Sequence, residues 1–159
     1  MTHTPEVHKA PFAVEWREGF CIGIDHLDRE HRHLFSLVLM LNPDTVACTV
    51  EKLREYVRIH FSHEQAVMEK CSYPGFEEHL KQHEAFAAKV AEFMMGGNDW
   101  TEDRVQELRR YLNKWLITHI MTHDMRFGKW FAAHRQPVTK PEVGSSRLVN
   151  RLLGRHAHA

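Results

Sequence analysis

Histidines and carboxylates recur one helical turn apart in this chain: His60 with Glu64, His79 with His83, and His119 with His123, with Asp124 one residue further on. Residues four apart project from one helix face, and imidazole combined with carboxylate is a donor set for a transition-metal ion. A single His-x-x-x-His pair means little here, because 14 of the 159 residues are histidine and roughly one such pair arises by chance. The stronger signal is that these polar residues occupy positions where a helical hydrophobic period calls for core. An unpaired charge buried there costs several kcal/mol unless something compensates it; a bound cation would.

Four periodic stretches carry these residues, separated by the chain's few glycines and prolines. The first stripe reads Leu27, His31, Leu34, Val38, Leu41, with Asp25 able to cap its start and Asn42-Pro43 to end it. Asp44 can cap the second, which reads Val46, Val50, Leu53, Val57, His60, Glu64, Val67 and ends near Cys71. After the turn signal Tyr73-Pro74-Gly75, the third reads Phe76, His79, His83, Phe86, Val90, Phe93 and stops at Gly96-Gly97-Asn98. The fourth starts after Asp99 or Thr101, reads Val105, Leu108, Leu112, Trp115, His119, and continues to about Phe131. Connections this short make successive helices antiparallel neighbours. The expected fold is therefore all-α: an up-down-up-down antiparallel four-helix bundle over residues 25–134, an extended N-terminal arm over 1–24, and a linker and C-terminal tail over 135–159.

Depth along the bundle is an independent test. His31 lies 6 residues after Asp25, His60 and Glu64 lie 11 and 7 before Cys71, His79 and His83 lie 4 and 8 after Gly75, and His119 and Asp124 lie 12 and 7 before Phe131. At 1.5 Å per residue, all seven fall within about 18 Å of one end of the bundle. They can converge on one site.

The same residues carry a resemblance to the hemerythrin family: Asp25-His26-Leu27-Asp28-Arg29-Glu30-His31 followed by Leu34-Phe35; His60-Phe61-x-x-Glu64; Tyr73-Pro74 with His79-x-x-x-His83-x-x-Phe86; and Trp115-Leu116-x-x-His119-Ile120-x-x-x-Asp124. The match runs in order over about residues 16–131. It implies two non-haem iron ions with a bridging oxo or hydroxo group. His79, His83 and His119 would hold one iron, His31 and His60 the other, and Glu64 and Asp124 would bridge them. An open position on the two-histidine iron would take dioxygen, and Phe61, Trp115, Leu116 and Ile120 would form an apolar oxygen pocket that excludes water. With only two carboxylates, such a centre favours reversible electron transfer to dioxygen over cleavage of the O–O bond. Departures from the family pattern are a shorter connection between His31 and His60, Gln65 where a second Glu is common, and Phe127 where Tyr is common; none is a ligand position.

His119 and Asp124 pose a geometric problem. Five residues span about 140° of a regular α-helix, so the two do not share a face. Either the fourth helix contains a π turn, which brings residue i+5 into line, or His123 replaces Asp124. The need for a second bridging carboxylate favours Asp124.

Composition narrows the alternatives. Lys plus Arg and Asp plus Glu each total 21, so there is no field of one sign to attract nucleic acid or an anionic membrane. Cys21, Cys48 and Cys71 form no CxxC pair, which argues against a thiolate zinc site and suits a reducing cytoplasm. No stretch reads as a signal peptide or a membrane span. The expectation is a soluble cytoplasmic oxygen-binding protein that is not an enzyme, used for storage, delivery or sensing. One rival is a di-iron oxidase or reductase acting on ferrous iron, nitric oxide or peroxide. Another is a regulatory or encapsulated cargo module whose tail, with Leu148, Val149, Leu152 and Leu153 alternating with Arg147, Arg151 and Arg155, docks a protein partner.

Overall fold

Four helical rods form in the places where the apolar period is unbroken. The computed structural model describes residues 12–135; the first eleven residues and the tail expected to dock a partner lie outside the described residues. Helix α1 spans Asp25–Leu39, α2 Val46–Lys70, α3 Phe76–Met95 and α4 Glu102–His119. A π turn over Ile120–Asp124 joins α4 to α5, Met125–His134, and the three together make the fourth rod. No strand occurs among the described residues.

The core follows the stripes. Leu27, Leu34, Val38, Val50, Leu53, Val90, Val105, Leu108 and Leu112 are each at most 5% exposed, and α1 and α3 each pack against both α2 and α4. With connections of six residues or fewer, the rods close into a ring of antiparallel neighbours. Two cross-ties stiffen the end remote from the histidines. Buried Arg109 of α4 donates to the Leu41 carbonyl beyond the end of α1, and Asn113 Nδ2 donates to the Phe12 carbonyl of the arm at 2.6 Å.

The starts of α1 and α2 differ from the capping expected, whereas α4 uses one of its two expected caps. Asp25 is the first helical residue, after an N-cap at Ile24, and no side chain caps that end. Asp28, one turn in, instead accepts from the Ile22 and Gly23 amides at 2.8 and 3.1 Å and fixes the incoming arm. Asp44 does not cap α2; the Asn42 side chain accepts from the Asp44 and Thr45 amides at 3.0 and 3.1 Å. At α4 the cap is Thr101, which accepts from Arg104 N. In each case the nearest oxygen that can reach free amides wins, and spacing alone does not reveal which one that is.

The arm closes the end of the bundle that holds the histidines. Phe20 stacks on Phe35 with ring centroids 5.3 Å apart, and Trp16 lies against Phe35 at 6.0 Å and His31 at 6.5 Å. Where the arm crosses α5, a β-carbon on Gly128 would collide with the Ile22 carbonyl oxygen, so only glycine permits this approach.

Candidate metal centre

Each rod contributes one or two polar side chains at a common depth. His31 comes from α1, His60 and Glu64 from α2, His79 and His83 from α3, His119 from the end of α4, and Asp124 from the end of the π turn. All seven are at most 4% exposed, and Glu64 and Asp124 are fully enclosed. The structure thus brings together every residue expected at the site.

The π turn is what includes Asp124. The Met125 amide bonds back to the Ile120 carbonyl, an i→i+5 link, and the wider turn swings Asp124 into line with His119, so that Oδ1 lies 2.9 Å from His119 Nε2. His123 is only partly buried and stacks on His119 at 5.3 Å; it is absent from the two clusters of close donor atoms.

Around His79, the donors are arranged as part of a coordination polyhedron. Its Nε2 lies 3.1 Å from the Nε2 atoms of His83 and His119, 3.2 Å from Glu64 Oε2 and 3.1 Å from Asp124 Oδ1. The other four atoms form a chain: Glu64 Oε2 to His83 at 3.1 Å, His83 to His119 at 3.1 Å, and His119 to Asp124 at 2.9 Å. As edges of an octahedron, separations of 3.1 Å place a central ion about 2.2 Å from each donor, a reasonable distance for a first-row ion. As edges of a tetrahedron, they give about 1.9 Å, shorter than zinc–imidazole bonds. Glu64, His79, His83, His119 and Asp124 are thus spaced as residues that would hold a six-coordinate first-row ion.

Both carboxylates reach beyond this cluster. Asp124 uses Oδ1 toward His79 and His119, while its Oδ2 lies 3.1 Å from His31 Nε2. Glu64 belongs both to the five-residue cluster and to a second one with His31 and His60. Glu64 Oε1, both Asp124 oxygens and both His31 nitrogens are buried without a hydrogen bond. Buried polar atoms are rarely left this way; adjacent cations would account for the carboxylate oxygens and for His31 Nε2, but not for His31 Nδ1 on the far side of the ring.

The electrostatics point in the same direction. Burial, reinforced by the charge on Asp124, would raise Glu64, yet hydrogen bonds from His79 and His83 and the charge on His60 hold it down to about 2. Burial also opposes ionisation of Asp124, but the charge on His119 and the imidazoles of His119, His31 and His79 beside it keep it well below the ordinary range. The two anions are therefore held in the buried core and call for positive charge beside them.

One contributing residue escaped the sequence reading. Glu30 Oε2 accepts from His60 Nδ1 at 2.8 Å and its Oε1 contacts His63 Nδ1 at 2.5 Å. Burial alone would raise this carboxyl, but the bonds from His60 and His63 hold it below its usual range, so it is an acceptor at neutral pH. With Nδ1 engaged, His60 keeps its Nε2 lone pair for the centre, the arrangement that fixes ring orientation and basicity in metal-bound histidines.

A family model described as the hemerythrin HHE cation binding domain matches residues 22–131. The chain belongs to the hemerythrin family. Among curated hemerythrins, a bacteriohemerythrin of Stenotrophomonas maltophilia is 33% identical over 129 residues, covering 75% of this chain and 82% of its own length. Hemerythrin subunit alpha of Lingula anatina is 31% identical over 119 residues, covering 75% and 96%. The bacteriohemerythrin of Clostridium acetobutylicum is 29% identical over 124 residues, covering 70% and 96%. A crystal structure of a leucine-to-phenylalanine mutant matches the hemerythrin fold of this chain with a TM-score of 0.64 at 21% identity, covering 73% of this chain and 95% of that one.

Beside the donors is a small, mostly apolar cavity of about 10 Å³. It meets His31, His60, His119 and Asp124, and its other walls are Leu34, Val57, Phe61, Trp115, Leu116 and Ile120. The four residues expected to form an oxygen pocket are all among them. Phe61 stacks on His83 at 3.6 Å and Trp115 on His119 at 4.3 Å, which fixes two of the imidazoles from outside.

Proposed function

We propose that this protein binds dioxygen reversibly at a di-iron centre, with His79, His83 and His119 on one iron, His31 and His60 on the other, and Glu64 and Asp124 spanning the two. Bound ferrous ions supply the two electrons that such binding requires; the chain supplies the environment. Two buried carboxylates neutralise only part of the cationic charge, so they disfavour the highly oxidised iron that bond-cleaving chemistry needs.

The observation that carries the reading is the character of the cavity. Apart from the proposed ligands, its walls offer no carboxyl, hydroxyl or amine. A general acid poised to drive a bound oxygen species to product is missing from these walls, and the apolar lining excludes the water that would promote loss of reduced iron. Binding therefore takes precedence over turnover, and the protein is read as a carrier, store or sensor. No helix among the described residues is long and apolar enough to cross a membrane; with free Cys21, Cys48 and Cys71, we assign it to the cytoplasm.

Anaerobic loading with ferrous iron should give about two irons per chain. Air should then produce charge-transfer absorption that argon removes over repeated cycles. Bleaching on the first cycle, with catalytic consumption of added ferrous iron, nitric oxide or peroxide, would establish the enzymatic reading instead.

A further inference from the structure

A groove of about 490 Å³ runs between α2 and α3, and its lining includes Val57 and Phe61 of α2 with Phe86, Ala87, Val90 and Ala91 of α3. Val57 and Phe61 also line the small cavity beside the donors. These two side chains are thus all that the outer groove and the inner cavity have in common. We infer that the α2–α3 groove is the entry route for a small uncharged molecule of the size of dioxygen, with Phe61 as the door. The inference rests on the functional reading above.

Three features favour this path. First, Ala87 and Ala91, one turn apart on α3, leave the opening that larger side chains would fill. Second, the charges at the rim cancel locally: Arg54 bonds Glu51 at 3.0 Å and Arg58 bonds Glu55 at 2.7 Å. The mouth therefore offers no net field to draw in an anion, and the Phe61, Phe86 and Val90 lining suits an apolar visitor. Third, the door is held by apolar packing and ring contacts. Phe61 faces His83 at 3.6 Å, Phe86 at 5.9 Å and Trp115 at 6.0 Å, and it is only half-buried. A rotamer change breaks dispersion contacts without stranding a polar group, which is the kind of motion that exposed and half-exposed side chains make rapidly.

A door and a pocket wall have different kinetic signatures. Narrowing an entry route slows arrival and departure by the same factor and leaves the equilibrium unchanged; altering the pocket changes the equilibrium, mostly through departure. Ala87→Phe and Ala91→Leu fill the groove from its exposed α3 side and alter no proposed ligand. With iron-loaded protein, both variants should slow dioxygen association and dissociation together, by about tenfold for Ala87→Phe, with Kd unchanged within about twofold. Xenon exchange into the inner cavity, followed by xenon NMR, should slow in parallel. Wild-type association rates in both variants would overturn the route, as would a changed Kd with unchanged association. If the wild-type protein takes up no dioxygen, the functional reading fails, and xenon alone decides the route: slowed exchange in Ala87→Phe supports it, and undiminished exchange refutes it.

Discussion

Replacing Glu30 should weaken one of the two proposed metal positions and spare the other. Its Oε2 accepts from His60 Nδ1 at 2.8 Å, and its side chain is 14% exposed, so the bond is charge-assisted and largely screened from water. Such bonds contribute about 1.5–3 kcal/mol, which at about 1.4 kcal/mol per decade is about a 10- to 150-fold loss in affinity. This overlaps the loss of about 10–100-fold seen when partners of metal-bound histidines are removed. Glu30→Gln retains a neutral acceptor and should fall near the low end, and Glu30→Ala near the high end. His63→Ala removes only the half-exposed partner of the other oxygen and should cost at most about fivefold, as for a surface ion pair. Anaerobic stepwise titration of metal-free protein against a competing chelator separates the two binding events. The tighter event, assigned to His79, His83 and His119, should be unaffected, and the weaker event should shift. An equal shift in both would show that Glu30 acts through general stability, and no shift would show that the His60 bond contributes nothing to metal affinity.

Further outcomes follow from the same geometry. Asp124→Ala removes the carboxylate whose two oxygens face His31 on one side and His79 and His119 on the other; iron content should fall below two per chain and the bridge-dependent charge-transfer bands should vanish, whereas His123→Ala should retain both. Gly128→Ala forces a β-carbon against the Ile22 carbonyl; urea denaturation should show a loss of about 1–3 kcal/mol. The pH dependence of the metal-free protein should be asymmetric. Burial opposes charge on His79, but Asp124 and Glu64 beside it push its pKa up from 6.5 to about 9. A raised pKa means that the stabilisation is complete below 6.5 and is lost as pH rises through about 9. Glu64, lowered from 4.5 to about 2, stabilises above 4.5, and that contribution is lost as pH falls through about 2. The melting temperature of the metal-free protein should therefore decline between pH 6.5 and 9, and metal loading, which occupies His79, should remove that decline.

Fold and ligand depth were legible in the sequence because each depends on one helix at a time. The position of His31 relative to the start of α1, or of His83 relative to the start of α3, is fixed by a rise of 1.5 Å per residue, and the apolar stripe says which way the side chain points. The i+5 spacing of His119 and Asp124 was legible as a conflict: a regular helix could not satisfy it, and the structure resolves it with the π turn over Ile120–Asp124. The widening is local, and it occurs where a second carboxylate is buried.

Glu30 and the Phe61 door are another kind of fact. Glu30 is one residue from His31, about 100° around α1, where a carboxylate looks like an ordinary solvated charge. Its role exists only because α1 and α2 cross at a distance that places it 2.8 Å from a ring nitrogen thirty residues away. Phe61 is expected from the family resemblance as a pocket wall, but its place between two spaces shows only when the groove outside it and the cavity inside it are both visible. Helical period gives azimuth and depth within each rod, whereas lateral spacing between rods is set by side-chain packing at the whole interface. Residues whose function is to complete a neighbour's hydrogen bond or to separate two spaces therefore leave little trace in spacing. Such residues are best sought among side chains one or two positions from a ligand, on the flank that faces an adjacent rod.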